Sequence, residues 1–238
     1  MKEITTVLAI DSAMNGCGAA VYMAKENRVF AKTAQMERGQ AESLVPMVQE
    51  VVAQADCGFE AVDLVVVTRG PGAFTGLRIG LSAAKSFALA LGVPVVGVST
   101  LEVLARQYLD GHSLEDGQKC AVIAETKRED FYFQLFDGQG AAISQPCVAR
   151  VEEIMEKIGA EPIIAIGDGV KRFSGLCKPD NVTFHEIAML DPAVLAQLGL
   201  EQYRAAGGED RQLNVEPLYL RAPDVSQPKT PPRAILGK

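Results

Sequence analysis

The chain has 238 residues, enough for one large domain or two small ones and for burying roughly three-quarters of the surface its unfolded form exposes. Hydrophobic residues make up 48% and charged residues 22%, the balance of a folded globular chain and not of a disordered one. With 23 basic against 30 acidic residues the net charge is −7, so the overall field repels nucleic acid, and any RNA contact must be local or lent by a partner.

The N-terminal stretch "MKEITTVLAIDS" has a short apolar run that ends at Asp11. That is neither the apolar region of a signal peptide nor a membrane span of ~20 residues, and the expectation is a cytoplasmic protein without membrane contact. Five cysteines, Cys17, Cys57, Cys120, Cys147 and Cys177, are odd in number, widely spaced and free of any C-x-x-C pair. They read as reduced, mostly buried thiols, not as a disulfide framework or a zinc ribbon.

In chain order, Val7 to Ile10 is an apolar, β-branched run that stops at Asp11-Ser12, the pattern of a buried strand. Two further strands are expected at Cys17 to Met23 and Val29 to Thr33, split by the turn-like Lys25-Glu26-Asn27. From Leu44 the apolar residues Leu44, Met47, Val48, Val51, Val52 and Ala55 share one helical face. Pro46 then belongs in that helix's first turn, where its missing N–H is not needed. Leu64 to Thr68 is a continuous apolar strand, a glycine-rich stretch leads into a helix to about Leu91, and "VPVVGVST" is another buried strand. Ser99 with Glu102 three residues later predicts a capping box for a third helix.

The second half begins similarly. Strands are expected at Cys120 to Ala124, Phe131 to Phe136 and near Cys147 to Arg150, with a turn at Asp137-Gly138. A helix at Val151 to Ile158, a strand at Ile163 to Ile166, a helix at Pro192 to Ala205 and a late strand at Leu218 to Arg221 follow. The order looks like a shortened repeat of the first half. Two lobes are therefore expected, residues 1–112 and 113–222, separated in the polar stretch Asp110 to Gln118, with a Pro-rich flexible tail at 223–238.

The stretch "TRGPGAFTGLRIG", Thr68 to Gly80, invites a phosphate-loop reading, which fails on spacing. A P-loop needs G-x-x-x-x-G-K-[ST], and a dinucleotide fingerprint needs G-x-G-x-x-G. Gly70 precedes Gly76 by six residues, no lysine follows, and Thr75 stands where the third glycine belongs. A generic anion site at the helix N-terminus near Thr75 remains open. Gly70 and Gly72, with Pro71, shape the turn out of the strand. Gly76, Gly80 and Ala84 then recur every four residues on one helical face, with Ala83 and Phe87 beside them. A glycine costs roughly 0.5 to 1 kcal/mol against alanine inside a helix, so close packing against that face must offset it. Either elements of the same domain or a partner could supply that packing.

Asp11-Ser12 and Gly167-Asp168-Gly169 are conspicuous at strand ends. In two-lobed ATP-binding folds such points hold phosphates, Mg²⁺ or adenosine, because glycine lets backbone approach a ligand and a carboxylate can order metal-bound water. Turn chemistry alone also accounts for such pairs. The chain's two histidines, His112 and His185, form no H-E-x-x-H motif, which argues against a zinc hydrolase. Glu152-Glu153 reads as solvated helix surface.

The stretches "LAIDSAMNGCGAAVY", "LVPMVQEVV", "VVVTRGPGAFTGLRIGLSAAKSFALALGVPVVGVSTLEVLA", "ETKREDFYFQLF", "IGDG" and "PLYLR" make the chain resemble the TsaB (YeaZ) family. The resemblance implies an α/β, two-lobed actin/hexokinase/Hsp70-ATPase-like fold with RNase H-like lobes of repeated βββαβα topology. It implies a non-catalytic scaffolding and activating subunit of the bacterial complex that transfers a threonylcarbamoyl group to N6 of the adenosine 3′ of the anticodon in tRNAs. In that complex the family pairs with TsaD, TsaE joins as an ATPase, and ATP and Mg²⁺ are used by the partners while this subunit requires no cofactor and no metal. Alone, a homodimer is expected, and tRNA is met indirectly through the complex.

For this family the first-lobe helices form the association surface, so the resemblance implies partner contacts at Leu44, Met47, Val48, Val51, Gly76, Gly80, Ala84 and Phe87, some of these serving the internal core instead. On that basis Gly80→Leu is expected to abolish association and spare the fold. Asp11, Ser12, Gly167, Asp168 and Gly169 become candidates for a vestigial nucleotide site. The region corresponding to the partner's histidine metal motif, "TAQMERGQAES", has no histidine. Two departures concern Gln40, where many family members have histidine, and the loose "ETKRED". The main alternative is an independent ATP-dependent kinase or ATPase using Asp11, Ser12 and Asp168. A glycoprotease lacks its metal ligands and nucleophile, and a direct tRNA-binding module is disfavoured by the acidity.

Overall fold

Alternate side chains of the first strand, β1 (Thr6–Asp11), serve two different cores. Val7 and Ala9 face one cluster of buried residues, while Leu8 and Ile10 face another, as the twofold side-chain period of a strand buried on both faces requires. The computed structural model describes residues 3–209 and 211–221; the expected tail at 223–238 lies outside these.

β1 is followed by β2 (Gly16–Met23) and β3 (Arg28–Gln35) in an antiparallel meander. α1 (Gln40–Gln54), β4 (Leu64–Gly70), α2 (Phe74–Leu91), β5 (Val95–Ser99) and α3 (Thr100–Leu109) come next. The second half repeats the scheme with β6 (Lys119–Glu125), β7 (Phe131–Phe136), β8 (Cys147–Ala149), α4 (Val151–Ile158), β9 (Ile163–Gly167), α5 (Val170–Leu176) and β10 (Val182–Glu186), and α6 (Pro192–Ala205) and β11 (Gln212–Leu213) close the chain. The sheet orders are β11-β5-β4-β1-β2-β3 and β10-β9-β6-β7-β8. Without β11 they are the same arrangement twice: a meander, then two strands added in parallel beside its first member.

The layers alternate helix, sheet, helix, sheet, helix. One core lies between α1, α2 and the first sheet, one between α4, α5 and the second sheet, and the third fills the space between the sheets around α3 and α6. α6 packs across β1, β2 and β4 of the first lobe. Gly199 on α6 meets Val66 so closely that a Cβ there would stand 2.3 Å from Val66 Cγ1.

Several expectations are corrected by packing. α6 and β11, placed in the second lobe by chain order, belong to the first: α6 covers its sheet and β11 extends it beside β5. The reason is that the first sheet's inner face (Val7, Ala9, Leu64, Val66) needs a cover, which Leu195 and Leu200 provide. The helix expected from Leu44 starts at Gln40, so Pro46 sits in its second turn, exposed, and not in its first. Ser99 and Glu102 form no capping box: Glu102 instead accepts from Gln202 Nε2 of α6 at 2.8 Å. α5 and β10 add to the elements expected from the sequence. Leu218 to Arg221 is not a strand, although the Leu218 N–H bonds Arg69 O at 2.7 Å. Glu153 is no bystander on α4, because its Oε2 takes the Arg150 N–H at 2.7 Å and caps the helix.

All five cysteines are free, but only Cys17 and Cys120 are buried. Burial pushes the Cys120 thiol up to about 12, which keeps it protonated and inert at neutral pH.

Candidate functional site

The turn between β1 and β2, residues 12–15, and the loop between β9 and α5, residues 168–169, face each other where the lobes meet. A small cavity of about 50 Å³ separates them, lined among others by Asn15, Gly72, Thr100, Glu125, Lys127 and Asp168. Asn15 Nδ2 donates to Asp168 Oδ2 at 3.2 Å across it, and the carboxylate's other oxygen accepts the Glu125 N–H at 2.9 Å. Burial, reinforced by the neighbouring Glu125 charge and opposed by that N–H, raises the Asp168 carboxyl to about 6. Thr100 also lines the cavity; its Oγ1 is buried and has no hydrogen-bond partner among the described residues.

Of the five residues expected at a nucleotide site, Asp168 alone lines this cavity. Asp11 is 1% exposed and its Oδ1 accepts from Thr68 Oγ1 at 2.6 Å and from Ala13 N at 3.0 Å. Burial raises its carboxyl, against the pull of those hydrogen bonds. The side chain therefore braces the turn and joins it to β4. Ser12 Oγ donates to Gly76 O at 2.8 Å, which turns it towards α2. Gly167 and Gly169 shape the opposing loop: at φ +122 a Cβ on Gly167 would lie 2.4 Å from Ile123 O, and one on Gly169 would lie 2.9 Å from the same atom. In this conformation the cavity has room for one or two waters, well below the ~300 Å³ at which small-molecule pockets begin.

The glycine-rich stretch is explained by the same turn. A Cβ on Gly72 would fall 2.2 Å from Ala13 O, and one on Gly76 would fall 2.0 Å from Ser12 O. Ala73 N donates to Ala13 O at 2.8 Å. At Gly80 a Cβ would meet Ser12 Oγ at 2.6 Å. The small-residue face of α2 thus receives the chain's own β1–β2 turn, and the reading of Gly76 and Gly80 as clearance for a partner helix is corrected. Leu44, Met47, Val48, Val51 and Ala84 are likewise buried in the core between α1, α2 and the first sheet. Phe87 alone of the eight is partly exposed; it stacks on Phe59 with centroids 5.7 Å apart.

The exposed side of these helices carries other residues. Ser82, Ser86, Leu89 and Ala90 form an uncharged outward stripe on α2, with Leu89 85% exposed. Phe74 and Arg78 at its start are joined by a cation–π contact of 3.8 Å, and Phe74 packs on Tyr219 at 5.4 Å. Sequence reasoning missed this side because the 3.6-residue period marks the apolar face, and in a helix lying on a sheet that face belongs to the core. It missed Asn15 and Thr68 because each reads locally as a turn or strand-end residue; their roles come from elements remote in the chain. Among the described residues no group of three or more His, Cys, Asp or Glu could hold a metal ion.

Two RNase H-like lobes of repeated order, joined over a narrow cleft, define a protein of the actin/hexokinase/Hsp70-ATPase fold class. A family model described as "TsaD: tRNA N6-adenosine threonylcarbamoyltransferase" matches residues 33–189. The protein TsaB of Buchnera aphidicola subsp. Schizaphis graminum, named for tRNA threonylcarbamoyladenosine biosynthesis, is 33% identical over 194 residues, covering 78% of this chain and 88% of its own. The Haemophilus influenzae protein of the same name is 26% identical over 239 residues, covering 96% of this chain and 98% of its own. The solved structure of YeaZ from Pseudomonas aeruginosa superposes with a TM-score of 0.74 at 25% identity, over 91% of this chain and 100% of that one. The chain belongs to the TsaB (YeaZ) family, within the sequence family described by the TsaD model.

Proposed function

We propose that this chain serves tRNA threonylcarbamoyladenosine biosynthesis as a non-catalytic scaffolding and activating subunit that pairs with TsaD. TsaE joins the assembly as an ATPase, ATP and Mg²⁺ are used by the partners, and tRNA is met through the complex. Alone the chain forms a homodimer. It works in the cytoplasm, in keeping with the observation that no helix of the described residues is long and apolar enough to cross a membrane.

The observation that carries this reading is the uncharged outward stripe Ser82, Ser86, Leu89 and Ala90 on α2, with Leu89 85% exposed. Exposed helical faces are normally charged, and a smooth one with a protruding leucine fits a helix-against-helix contact. The burial of Asp11, 1% exposed and with its Oδ1 taken by Thr68 and Ala13, and its absence from the lining of the cleft cavity support the non-catalytic part.

Reconstituted threonylcarbamoylation of tRNA, with TsaD, TsaE and the activated substrate present, tests the proposal. Modification should require this chain, and the chain alone should not turn over ATP. Equal modification without it would overturn the assignment.

A further inference from the structure

After β11 the chain runs along the first lobe and then reaches the second. Val215 is 3% exposed and packs into the core between α1, α2 and the first sheet. The Leu218 N–H donates to Arg69 O at 2.7 Å. Tyr219 lies on Phe74, ring centroids 5.4 Å apart, and its hydroxyl oxygen accepts from Arg78 Nε at 3.2 Å. Two glycines clear the path: a Cβ on Gly97 would fall 2.2 Å from Asn214 O, and one on Gly70, at φ +106, would fall 3.0 Å from Leu218 O. Residues 214–219 are thus seated on β4, β5 and α2. Two residues further, the Arg221 guanidinium donates to the carboxylate of Asp130, which immediately precedes β7 of the second lobe.

Asp130 belongs to a network that leads to the cleft. Its carboxylate also accepts from Thr126 Oγ1 at 2.8 Å, and its carbonyl oxygen accepts from Arg172 Nη2 at 2.8 Å. Arg172, on α5, holds the two carboxylate oxygens of Glu125 at 2.9 and 2.6 Å, and the Glu125 N–H is the donor to Asp168. Arg221 therefore fastens the segment to the loop 125–130, whose Glu125, Thr126 and Lys127 line the cleft cavity. With side chains 30% and 19% exposed, the Arg221–Asp130 pair is screened less than a fully solvated one.

The lobes are not packed together on this flank. A gap of about 600 Å³ lies between Arg69, Ser99 and Glu102 of the first lobe and Gln134 with the segment 142–146 of the second, and Leu218 lines it. Surfaces that stand apart forgo the dispersion contacts of a close-packed interior. Here the contacts that cross the junction, not a shared core, set how far apart the lobes lie.

We propose that residues 215–221 form a strap that holds the lobes closed over the Asn15–Asp168 cleft, with Arg221 on Asp130 as its latch. Releasing the latch lets the second lobe move away and widens a cleft that, when fastened, has room for one or two waters. The strap is built by the isolated chain, without the association proposed above.

Hydrogen–deuterium exchange of the full chain, read by mass spectrometry, tests the strap through Arg221→Ala, Asp130→Asn and Tyr219→Ala. In Arg221→Ala both walls of the cleft, residues 13–15 and 124–127, should exchange about tenfold faster, the effect of losing one charge-assisted hydrogen bond. β1, β4 and β9 should keep the parent's protection. Asp130→Asn should act in the same direction, and adding it to Arg221→Ala should change the rates by less than about twofold more, because both remove one shared bond. Tyr219→Ala leaves Arg221 and Asp130 in place but loosens the first-lobe end, so it should speed exchange at 124–127 as well. Parent-like exchange at both walls in Arg221→Ala, or at 124–127 in Tyr219→Ala, overturns the strap. Faster exchange confined to 126–130 does so too, since Arg221 would then brace only its own loop. Loss of protection throughout β1, β4 and β9 is equally fatal, because the segment would then hold the fold and not the cleft.

Discussion

Asn15 and Asp168, 153 residues apart in sequence, meet across the lobe junction in a hydrogen bond of 3.2 Å. One comes from the β1–β2 turn of the first lobe and the other from the end of β9 in the second, the counterpart of β4. The bond ties the two loops together across the cleft, and its acceptor is a carboxyl held near 6.

That carboxyl gives a pH prediction. The folded value is raised above the ordinary 3.8, so the native state favours the protonated form and pays for ionisation. The resulting destabilisation is absent below about pH 4, grows as pH rises through the raised value, and is complete above it, at most about 3 kcal/mol. Asp168→Asn should therefore stabilise the protein at pH 7.5 and make little difference near pH 4. Urea unfolding of both proteins across this range reads the effect; a variant less stable than the parent at pH 7.5 contradicts it.

Gly76→Ala reverses the usual rule for helices. In an open helix the change gains about 0.5–1 kcal/mol, but here the new Cβ would stand 2.0 Å from the Ser12 carbonyl oxygen. Moving that turn disturbs Asp11, Thr68 and Gly72 together. A loss of about 3 kcal/mol or more, or failure to fold, is expected, read by thermal melting. Gly80→Leu is expected to lower stability as well, since its Cβ would already meet Ser12 Oγ at 2.6 Å and displacing that hydroxyl breaks its bond to Gly76 O.

Association is better tested from the exposed side. Ser86→Trp and Leu89→Arg alter residues that lie outside the core, so melting temperatures should stay close to the parent's. Binding to TsaD, followed by size-exclusion and titration calorimetry, should weaken by about tenfold or more if the stripe sits at the contact centre. Parent-like affinity in both variants removes α2 from the interface.

Thr68→Val isolates the brace beneath the cleft. Thr68 Oγ1 lies 2.6 Å from Asp11 Oδ1, and its loss leaves a buried carboxylate with one fewer donor. Stability should fall by about 1–3 kcal/mol, and the Asp11 carboxyl should rise further, because the Thr68 hydrogen bond is the largest of those that oppose the effect of burial. Carboxyl-detected NMR titration and urea unfolding check the two halves separately.

Much of the architecture was legible in the sequence because it rests on local periodicity. The apolar runs at Val7 to Ile10 and Leu64 to Thr68, the spacing from Leu44 to Ala55 and the order of elements in the first half each follow from which faces must be buried. The short α5 and β10 were less legible, since neither presents a long apolar period. The tie between Glu102 and Gln202, 100 residues apart, left no local trace at all.

Sequence by itself determined the repeated two-lobed order and the family, because strand and helix periods and the glycine-rich stretch are written in neighbouring residues. Tertiary structure alone decided what those glycines serve. A small-residue face records only that something comes close, and the occupant proved to be the chain's own turn at Ser12 and Ala13. It also decided that α6 returns to the first lobe and that Asp11 is a brace while Asp168 faces the cleft. Each depends on distances between segments far apart in the chain, which compaction sets and local propensity does not.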